Sequence, residues 1–362
     1  MKTASIPAIL FAAMTLTLSA QSGGDLTPPA GAPGKTMKSL DEVEARTAIS
    51  TLPFNISTPG SYYLTKSLSS TTDGVTITAN NVTLDLNGFT LNGSGTSASH
   101  EGIRATGTTG APLQNIAITN GVITGFGYSV KFTYVSNSLL TQMRCSGSAF
   151  TGIFLSGESS GQCDGNTVSN CNVSNTGSQG IYLTGFSGQC SGNTINNCRV
   201  SNSGGVGISL SGYRGQCDGN TVSNCRISNS SNAGIQLDGS TSGQCDGNTL
   251  SNCNISNAAF TGIYLTGASA GQCNGNTLSN CNISNSGGTG IGLAGTVSSG
   301  QCNGNTLSNC NISSSGSEGI SLSGSNGQCN GNHLVNNTVR GAGGIGIYLS
   351  RSHSNRVDGN HV

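Results

Sequence analysis

The chain has 362 residues, of which 56 are glycine, 8% are charged and 5% are aromatic. Ordinary globular proteins carry about 25% charged residues, and here 14 basic residues balance 14 acidic ones. The zero net charge excludes a strongly basic nucleic-acid-binding protein, and the shortage of strong helix formers excludes a helical bundle. The composition indicates a neutral repeat protein rich in Gly, Asn, Ser and Thr.

The N-terminus has the pattern of an export signal. An apolar stretch over residues 6–18 is followed by Ser19-Ala20, which predicts a secretory signal peptide over 1–20. A buried first strand or helix is the alternative. Glycines and prolines over 21–38 predict a flexible leader. No later stretch approaches the ~18 apolar residues that span a membrane, so we expect a secreted, extracellular or periplasmic protein with no membrane span.

From about residue 150 the chain repeats itself every 27 to 29 residues. The motif Gly-Ile-x-Leu places two apolar residues two positions apart, which is the period of a β-strand. It begins at Gly152, Gly180, Gly207, Gly234, Gly262, Gly290, Gly319 and Gly346. A second motif, Asn-Thr-(Val/Leu/Ile)-x-x-Cys-x-(Val/Ile), follows the first six. Its apolar residues, such as Ile195 and Val200, lie five positions apart, so a corner must separate two further strands.

Three strands this short are stable only when the repeats stack on one another. Equivalent Ile, Leu and Val residues would then form ladders inside the stack. Irregular first coils precede over 39–150, and regular repeats fill 151–362. We therefore predict one all-β solenoid domain over 39–362, with about eleven coils of three short strands each.

The repeats and two earlier segments resemble a known family. Ser61-Tyr-Tyr-Leu64 and the run Val-Thr-Leu-Asp-Leu-Asn-Gly-Phe-Thr-Leu-Asn-Gly over 82–93 look like the first coils of bacterial secreted members. From roughly residue 38 to 362 the chain resembles the right-handed parallel β-helix repeat (PbH1) proteins of the pectate-lyase-like superfamily. The resemblance implies a right-handed parallel β-helix. It leaves the activity open, because this fold hosts lyases, hydrolases, epimerases and adhesins.

Fourteen cysteines follow the repeats, six pairs of them spaced Cys-x7-Cys between Cys145 and Cys329. Zinc ligation is a poor interpretation because no His accompanies them, whereas export and the even count favour disulfides. Pairing within a coil would leave Cys145 and Cys329 too far apart to bond. Joining each second cysteine to the first of the next coil gives Cys171–Cys190, Cys198–Cys217, Cys225–Cys245, Cys253–Cys273, Cys281–Cys302 and Cys310–Cys329. Within-coil pairs and free buried thiols remain the alternatives.

Ionisable residues in a catalytic pattern are few. Asp218 and Asp246 follow the first cysteine of consecutive coils, so stacking would place them about 5 Å apart. Two carboxylates that close share a proton, bind a cation or repel each other. With Arg214 they are the candidate catalytic residues, and Ca²⁺ is the one candidate cofactor. The alternative is a turn role, because Asn takes this position in later coils and Asx residues stabilise corners.

His100-Glu101 and Arg104 form the other ionisable group. The dipeptide weakly resembles the His-Glu pair of alginate-epimerase-like β-helices, but the Asp-Pro that surrounds that pair is absent. We expect these residues to lie in a solvated loop.

Aromatic residues mark the exposed face that we predict to bind carbohydrate. Phe154, Tyr182 and Tyr264 occupy the outward position of Gly-Ile-x-Leu, while Phe186 and Tyr213 lie at the corner where all length variation between repeats occurs. Rings at such positions stack on sugar faces, with Asn and Ser side chains as hydrogen-bond partners. The alternative is that aromatic residues simply favour strand surfaces.

The sequence thus predicts an exported β-helix that binds a polysaccharide or a cell-surface glycan, and whether it is an enzyme is left open. A polysaccharide lyase, hydrolase or epimerase is the first alternative. The second is a structural or adhesion rod, with ice binding through the regular Thr-x-Ser array as a special case. Val357–Val362 ends without a polar capping segment, so we also expect end-to-end self-association or a further C-terminal segment.

The cross-coil disulfide hypothesis predicts that reduction substantially lowers the melting temperature, because each staple would constrain the unfolded chain by several kcal/mol. Thermal unfolding with and without reductant, beside thiol titration of the native protein, tests this. An unchanged melting curve with fourteen reactive thiols would exclude the staples.

Overall fold

The computed structural model describes residues 45–95 and 100–362. Arg46–Val362 forms one compact unit. The described residues form 36 short β-strands and no helix. The predicted signal peptide (1–20) and leader (21–38) lie outside the described residues and stay predictions.

Thirteen strands precede the regular repeats. They are β1 (Thr47–Ile49), β2 (Phe54–Ile56), β3 (Gly60–Leu64), β4 (Leu68–Ser69), β5 (Val75–Ile77), β6 (Val82–Asp85), β7 (Thr90–Asn92), β8 (Glu101–Thr106), β9 (Leu113–Gln114), β10 (Ile116–Thr124), β11 (Tyr128–Thr133), β12 (Val135–Ser136) and β13 (Leu139–Ser146).

The regular repeats supply the other strands, three to a coil except in the last coil, which has two. They are β14 (Ile153–Ser156), β15 (Thr167–Ser169), β16 (Asn172–Thr176), β17 (Ile181–Thr184), β18 (Thr194–Asn196), β19 (Arg199–Ser203), β20 (Ile208–Ser211), β21 (Thr221–Ser223), β22 (Arg226–Ser228), β23 (Ile235–Ser240), β24 (Thr249–Ser251), β25 (Asn254–Ser256), β26 (Ile263–Ala268), β27 (Thr277–Ser279), β28 (Asn282–Ser284), β29 (Ile291–Thr296), β30 (Thr306–Ser308), β31 (Asn311–Ser313), β32 (Ile320–Ser323), β33 (His333–Val335), β34 (Thr338–Arg340), β35 (Ile347–Ser350) and β36 (Arg356–Asp358).

Each strand pairs in parallel with the equivalent strand of the next coil. One sheet of 12 strands takes one strand from every coil, from β2 to β35. A sheet of 22 strands takes the others, for example β15 and β16, and β9 pairs with β12. Twelve strands in one column enclose eleven turns, so the predicted all-β solenoid of about eleven coils is confirmed.

The register places like residues on like residues, as the repeat pattern predicts. Ile153 pairs with Ile181 and Leu155 with Leu183, while Val168 pairs with Ile195. These side chains are buried in one continuous core. A Cβ at Gly180, the first residue of the motif, would overlap the Val200 side chain. The motif glycine is therefore required by the close approach of one strand to the next.

A buried asparagine ladder runs beside the apolar core. The side-chain oxygen of Asn220 accepts the backbone N–H of Asn193 at 2.8 Å, and its amide donates to Asn248 Oδ1 at 3.1 Å. The same position in the other regular coils holds Asn166, Asn193, Asn248, Asn276, Asn305, Asn332 and Asn355. Each coil thus supplies the acceptor for a buried N–H group of its neighbour. This requirement determines the register more strictly than the apolar residues alone would.

All fourteen cysteines lie within the described residues, and all are buried free thiols. The thiol of Cys190 interacts with those of Cys163 and Cys217, and the thiol of Cys198 with those of Cys171 and Cys225. These neighbours belong to the same column of the stack. The structure therefore lacks the six predicted cross-column disulfides, because each cysteine column occupies its own corner. Disulfide formation in the protein stays a prediction for the reduction experiment.

The second cysteine column occupies the place that asparagine takes in the last coils. Asn337 Nδ2 donates to the Leu307 carbonyl of the preceding coil at 3.0 Å. In an earlier coil Cys281 Sγ reaches the equivalent carbonyl of Leu250 at 3.9 Å. The thiol thus occupies the place of the amide and makes a longer, weaker contact.

The buried asparagine ladder is tested by Asn220→Ala. We expect a loss of about 1–3 kcal/mol in unfolding free energy, because the substitution removes the buried acceptor of the backbone N–H and the side-chain amide of Asn193. Thermal unfolding measures this, with Asn282→Ala as the matched control. Asn282 belongs to an exposed pair with Asn254, so its replacement should change stability by no more than about 0.5 kcal/mol. Equal effects of the two substitutions would contradict the structural role of the ladder.

Candidate functional site

The outer face of the 12-stranded sheet carries most of the predicted aromatic residues. Strand alternation points Ile153 and Leu155 inward, and so places Phe154 between them on the outside. Phe154 pairs in register with Tyr182 on the next coil. Tyr264 belongs to the same row, but Ser209 and Gln236 separate it from Tyr182. The structure therefore brings Phe154 and Tyr182 together and leaves Tyr264 apart.

Six rings form a nearly continuous surface, which we call the aromatic face; it consists of Tyr128, Phe150, Phe154, Tyr182, Phe186 and Tyr213. Ring centroids lie 5.5 Å apart for Tyr128 and Phe154 and 5.4 Å apart for Phe154 and Tyr182. Phe186 and Tyr213 stack at 5.3 Å with an interplanar angle of 11°. Tyr128 and Phe150 are not predicted from the sequence, because they lie before the regular repeats, where no motif marks the outward position.

A pocket of ≈ 300 Å³ opens between the rings. It is lined by Phe154, Ser156, Glu158, Tyr182, Thr184 and Phe186. Ser156 Oγ is buried there without a hydrogen-bond partner. Buried hydroxyl groups in proteins are nearly always paired, so this unpaired one adds a polar atom beneath the floor of the pocket. Aromatic walls with a polar floor suit a molecule that has both apolar faces and hydroxyl groups.

Asp218 and Asp246 lie in a ladder of corner residues. Asp218 Oδ1 accepts the backbone N–H of Asp246 at 2.7 Å, and Asp246 Oδ1 accepts that of Asn274. Arg214 lies over the Tyr213 ring, 5.2 Å from its centroid. Within 45–95 and 100–362 no ion pair joins Arg214 to either carboxylate. The structure thus gives the aspartates a turn role, and their catalytic role stays a prediction.

Burial raises the pKa of the Asp246 carboxyl to about 6; the N–H of Asn274 opposes this shift, and Asp218 adds to it. Because the folded pKa lies above the unfolded value of about 3.9, this group favours the folded state only when protonated. Its contribution is complete below about pH 4 and is lost as the pH rises through about 6.

Asp246→Asn keeps the acceptor and removes the charge, so we expect it to stabilise the protein at about pH 7.5. The gain should be about 1 kcal/mol, since the partly exposed carboxyl is screened by solvent, and should vanish near pH 4. Melting temperatures at both pH values test this. The reverse change, Asn303→Asp, should destabilise at about pH 7.5. A destabilising Asp246→Asn at that pH would show that the carboxylate has another partner.

Five ionisable side chains, Asp73, His100, Glu101, Arg104 and Lys131, meet at the edge of the aromatic face; we call them the charged cluster. The expectation of a solvated loop is wrong for Glu101, which begins strand β8 and is 6% exposed. Glu101 Oε1 lies 3.5 Å from Lys131 Nζ, and Glu101 Oε2 lies 3.8 Å from Arg104. Sequence reasoning missed Lys131 because it lies a full coil away. The strand pairing that joins the coils brings Arg104 and Lys131 into register.

The Asp73 carboxylate also contacts the backbone of Glu101 and the His100 ring. Asp73 Oδ1 accepts the backbone N–H of Glu101 at 3.1 Å and lies 3.5 Å from His100 Nδ1. Burial raises the pKa of Glu101, and Asp73 adds to this rise, while Lys131 and Arg104 oppose it. Burial beside Glu101 also raises the pKa of Tyr128. The charged cluster is thus a compact, electrically balanced group in a chain with little charge elsewhere.

The Thr-x-Ser array lies on the other sheet. Thr167 pairs with Thr194 and Ser169 with Asn196, so the array is in register but separate from the aromatic face. Its role in ice binding stays a prediction.

The fold and the comparisons place the chain in a class of proteins. A model described as "Right handed beta helix region" matches residues 215–362, so the chain is a right-handed parallel β-helix protein, as the resemblance implied. It belongs to the family described as "Periplasmic copper-binding protein (NosD)", whose model matches residues 65–272. No curated protein sequence matches the chain.

Solved structures show the same fold at low identity. The ORF18 protein of Geobacillus virus E2 has a TM-score of 0.56 at 15% identity, covering 81% of this chain and 54% of its own. The A-module of the Azotobacter vinelandii mannuronan C-5 epimerase AlgE4 has a TM-score of 0.52 at 11% identity, covering 84% and 89%. The catalytic domain of a GH87 α-1,3-glucanase has a TM-score of 0.50 at 15% identity, covering 93% and 71%. This chain therefore spans about half of the viral protein.

Proposed function

We propose that the protein binds a glycan across the aromatic face, with the pocket between Phe154, Tyr182 and Phe186 as the central subsite. The observation that carries this proposal is the set of rings around a floor that holds the unpaired Ser156 hydroxyl. Sugars present apolar C–H faces and hydroxyl edges, and so match stacked rings beside polar groups. Structural neighbours named as a mannuronan epimerase and a glucanase make a polysaccharide a reasonable first ligand to test.

The proposed ligand runs along the solenoid axis. Phe154 and Tyr182 occupy the same outward position on successive coils, about one strand spacing apart, near 4.8 Å. Tyr128 lies on the preceding coil, where Lys131 takes this position, and its ring lies beside Phe154, so that neighbouring centroids are 5.4–5.5 Å apart. Such a row suits successive residues of a linear chain better than a single monosaccharide. The outer pair, Phe186 and Tyr213, would extend the contact beside this row.

Copper binding, which the family description names, does not fit the side chains that the structure describes. Residues 45–95 and 100–362 contain no group of three or more His, Cys, Asp or Glu that could hold a metal ion. The thiols are buried and already bonded: Cys217 Sγ reaches the Leu183 carbonyl at 3.7 Å and Asn220 Nδ2 at 3.4 Å. We therefore derive no role for copper, and Ca²⁺ binding likewise stays a prediction.

Catalysis on the bound glycan is the second candidate function, and the charged cluster favours it. The carboxylates of Asp73 and Glu101 lie beside Lys131 and Arg104 at the end of the aromatic face. Acidic and basic groups of this kind serve lyases, hydrolases and epimerases alike. Binding is the primary proposal because the rings define a surface, whereas the cluster alone defines no reaction.

We propose an extracellular or periplasmic location, which the family description supports. None of the described residues forms a helix long and apolar enough to cross a membrane.

Tyr182→Ala tests the glycan-binding proposal. We expect about a tenfold weaker affinity for a ligand that wild type binds, because the substitution removes a ring that lines the central subsite. Pull-down with insoluble neutral and acidic polysaccharides selects the ligand, and titration calorimetry with its oligosaccharides measures the change. Phe260→Ala is the matched control, since Phe260 is 62% exposed and lies outside the aromatic face.

The same incubations distinguish binding from catalysis. Mass spectrometry of the supernatants would detect unsaturated or hydrolysed oligosaccharides if the protein is an enzyme. Depletion of the protein without products supports binding alone. Equal affinities of wild type and Tyr182→Ala would overturn the proposed role of the aromatic face.

A further inference from the structure

The charged cluster and the aromatic face form one continuous surface. Arg104, Lys131, Phe154 and Tyr182 occupy the same outward position on four successive strands, β8, β11, β14 and β17. Lys131 Nζ lies 5.1 Å from the centroid of the Tyr128 ring and 6.0 Å from that of Phe154. A linear ligand stacked on the rings would therefore reach the Lys131 ammonium at the next position along the row.

Lys131 and Arg104 are paired in the structure with carboxylates of the protein. Lys131 pairs with Glu101 at 3.5 Å, and Arg104 pairs with Asp73 at 3.5 Å. With both carboxylates ionised, their two negative charges balance the two cations. When Glu101 takes up a proton, the cluster gains one positive charge and Lys131 loses its partner.

We propose that the charged cluster is a subsite for a carboxylate group of the glycan, and that Glu101 controls access to it by competing with the ligand for Lys131. This inference rests on the proposed binding of a glycan along the aromatic face. An anionic sugar brings its carboxylate to Lys131 and Arg104, whose charges favour such a partner. The same face binds neutral sugars without engaging the cluster.

The competition makes binding of an acidic glycan depend on pH. Burial raises the pKa of Glu101 above its usual value, whereas sugar carboxylates, like other carboxylates, stay ionised above about pH 4. As the pH falls, Glu101 is neutralised before the ligand, and Lys131 becomes available to it. Acidic glycans should therefore bind more tightly below neutral pH, and neutral glycans should not.

The groups that face Glu101 all belong to the charged cluster or to the aromatic face. Asp73 lies in the segment before β5. His100 directly precedes Glu101, and Arg104 lies with Glu101 on β8. Lys131 and Tyr128 lie on β11. His100 is the other titratable group that contacts the cluster, with Nδ1 3.5 Å from Asp73 Oδ1. A His100→Gln variant therefore separates its contribution from that of Glu101.

The experiment compares a galacturonate oligosaccharide with a neutral glucose oligosaccharide of the same length, by calorimetry at about pH 7.5 and about pH 5. For wild type we expect the Kd of the galacturonate to fall from the higher pH to the lower, because burial raises the pKa of Glu101, and the Kd of the neutral ligand to stay unchanged. Glu101→Gln should bind the galacturonate tightly at both pH values. Lys131→Met should lose the preference for the galacturonate and keep the affinity for the neutral ligand.

Two further variants serve as controls. His100→Gln should keep the pH dependence, and Arg199→Met, on the other sheet, should behave as wild type. A pH dependence that survives in Glu101→Gln, or that the neutral ligand shares, would overturn the control by Glu101. Galacturonate binding that Lys131→Met does not weaken would overturn the subsite. Failure of wild type to bind either ligand would instead count against the proposed function itself.

Discussion

The structure depends on the parallel, in-register stacking of short strands. No single coil has a core of its own, so each buries its Ile, Leu and Val against the equivalent residues above and below. The asparagine ladder adds a polar constraint to this apolar one. Because Asn220 Oδ1 must meet the N–H of Asn193 and its amide must meet Asn248, a coil displaced by one residue would leave buried donors unpaired. Stacking and hydrogen bonding therefore require the same register.

This register also determines which side chains lie next to each other on the outer surface. A residue at the outward position of one coil lies directly over its equivalent in the next, so neighbours on the face are about one repeat apart in sequence. Phe154 meets Tyr182 in this way, and Arg104 meets Lys131. The scaffold stays rigid while the outward residues vary freely, because only the inward residues and the ladder amides are held by packing. A solenoid can therefore carry rings on some coils and charges on others along one continuous track.

The position of Glu101 shows how this arrangement creates chemistry. A carboxylate at the start of a strand is buried by the coils on either side, and its cationic partner comes from the following coil. Burial and Asp73 favour the neutral acid, while Lys131 and Arg104 favour the carboxylate. The opposing effects leave an acid whose protonation depends on these neighbours, and it lies at the end of the aromatic face.

The amino-acid sequence by itself determined the solenoid, its coil count and the outward placing of Phe154, Tyr182 and Tyr264, because each follows from strand alternation within a repeat. It did not reveal the buried ladder of Asn166 and its equivalents, although that asparagine precedes threonine in nearly every regular coil. Asparagine is common in turns, so its presence alone does not indicate burial.

Only the tertiary structure decided which of these residues meet. It separated Tyr264 from the other rings, placed the cysteine columns at different corners and gave Glu101 its partner Lys131. The Glu101–Lys131 pair joins residues of two irregular early coils, where no repeat motif determines the alignment. In the regular coils the repeat itself indicates the register, whereas in the early coils strand pairing is a long-range interaction that the local sequence pattern does not show.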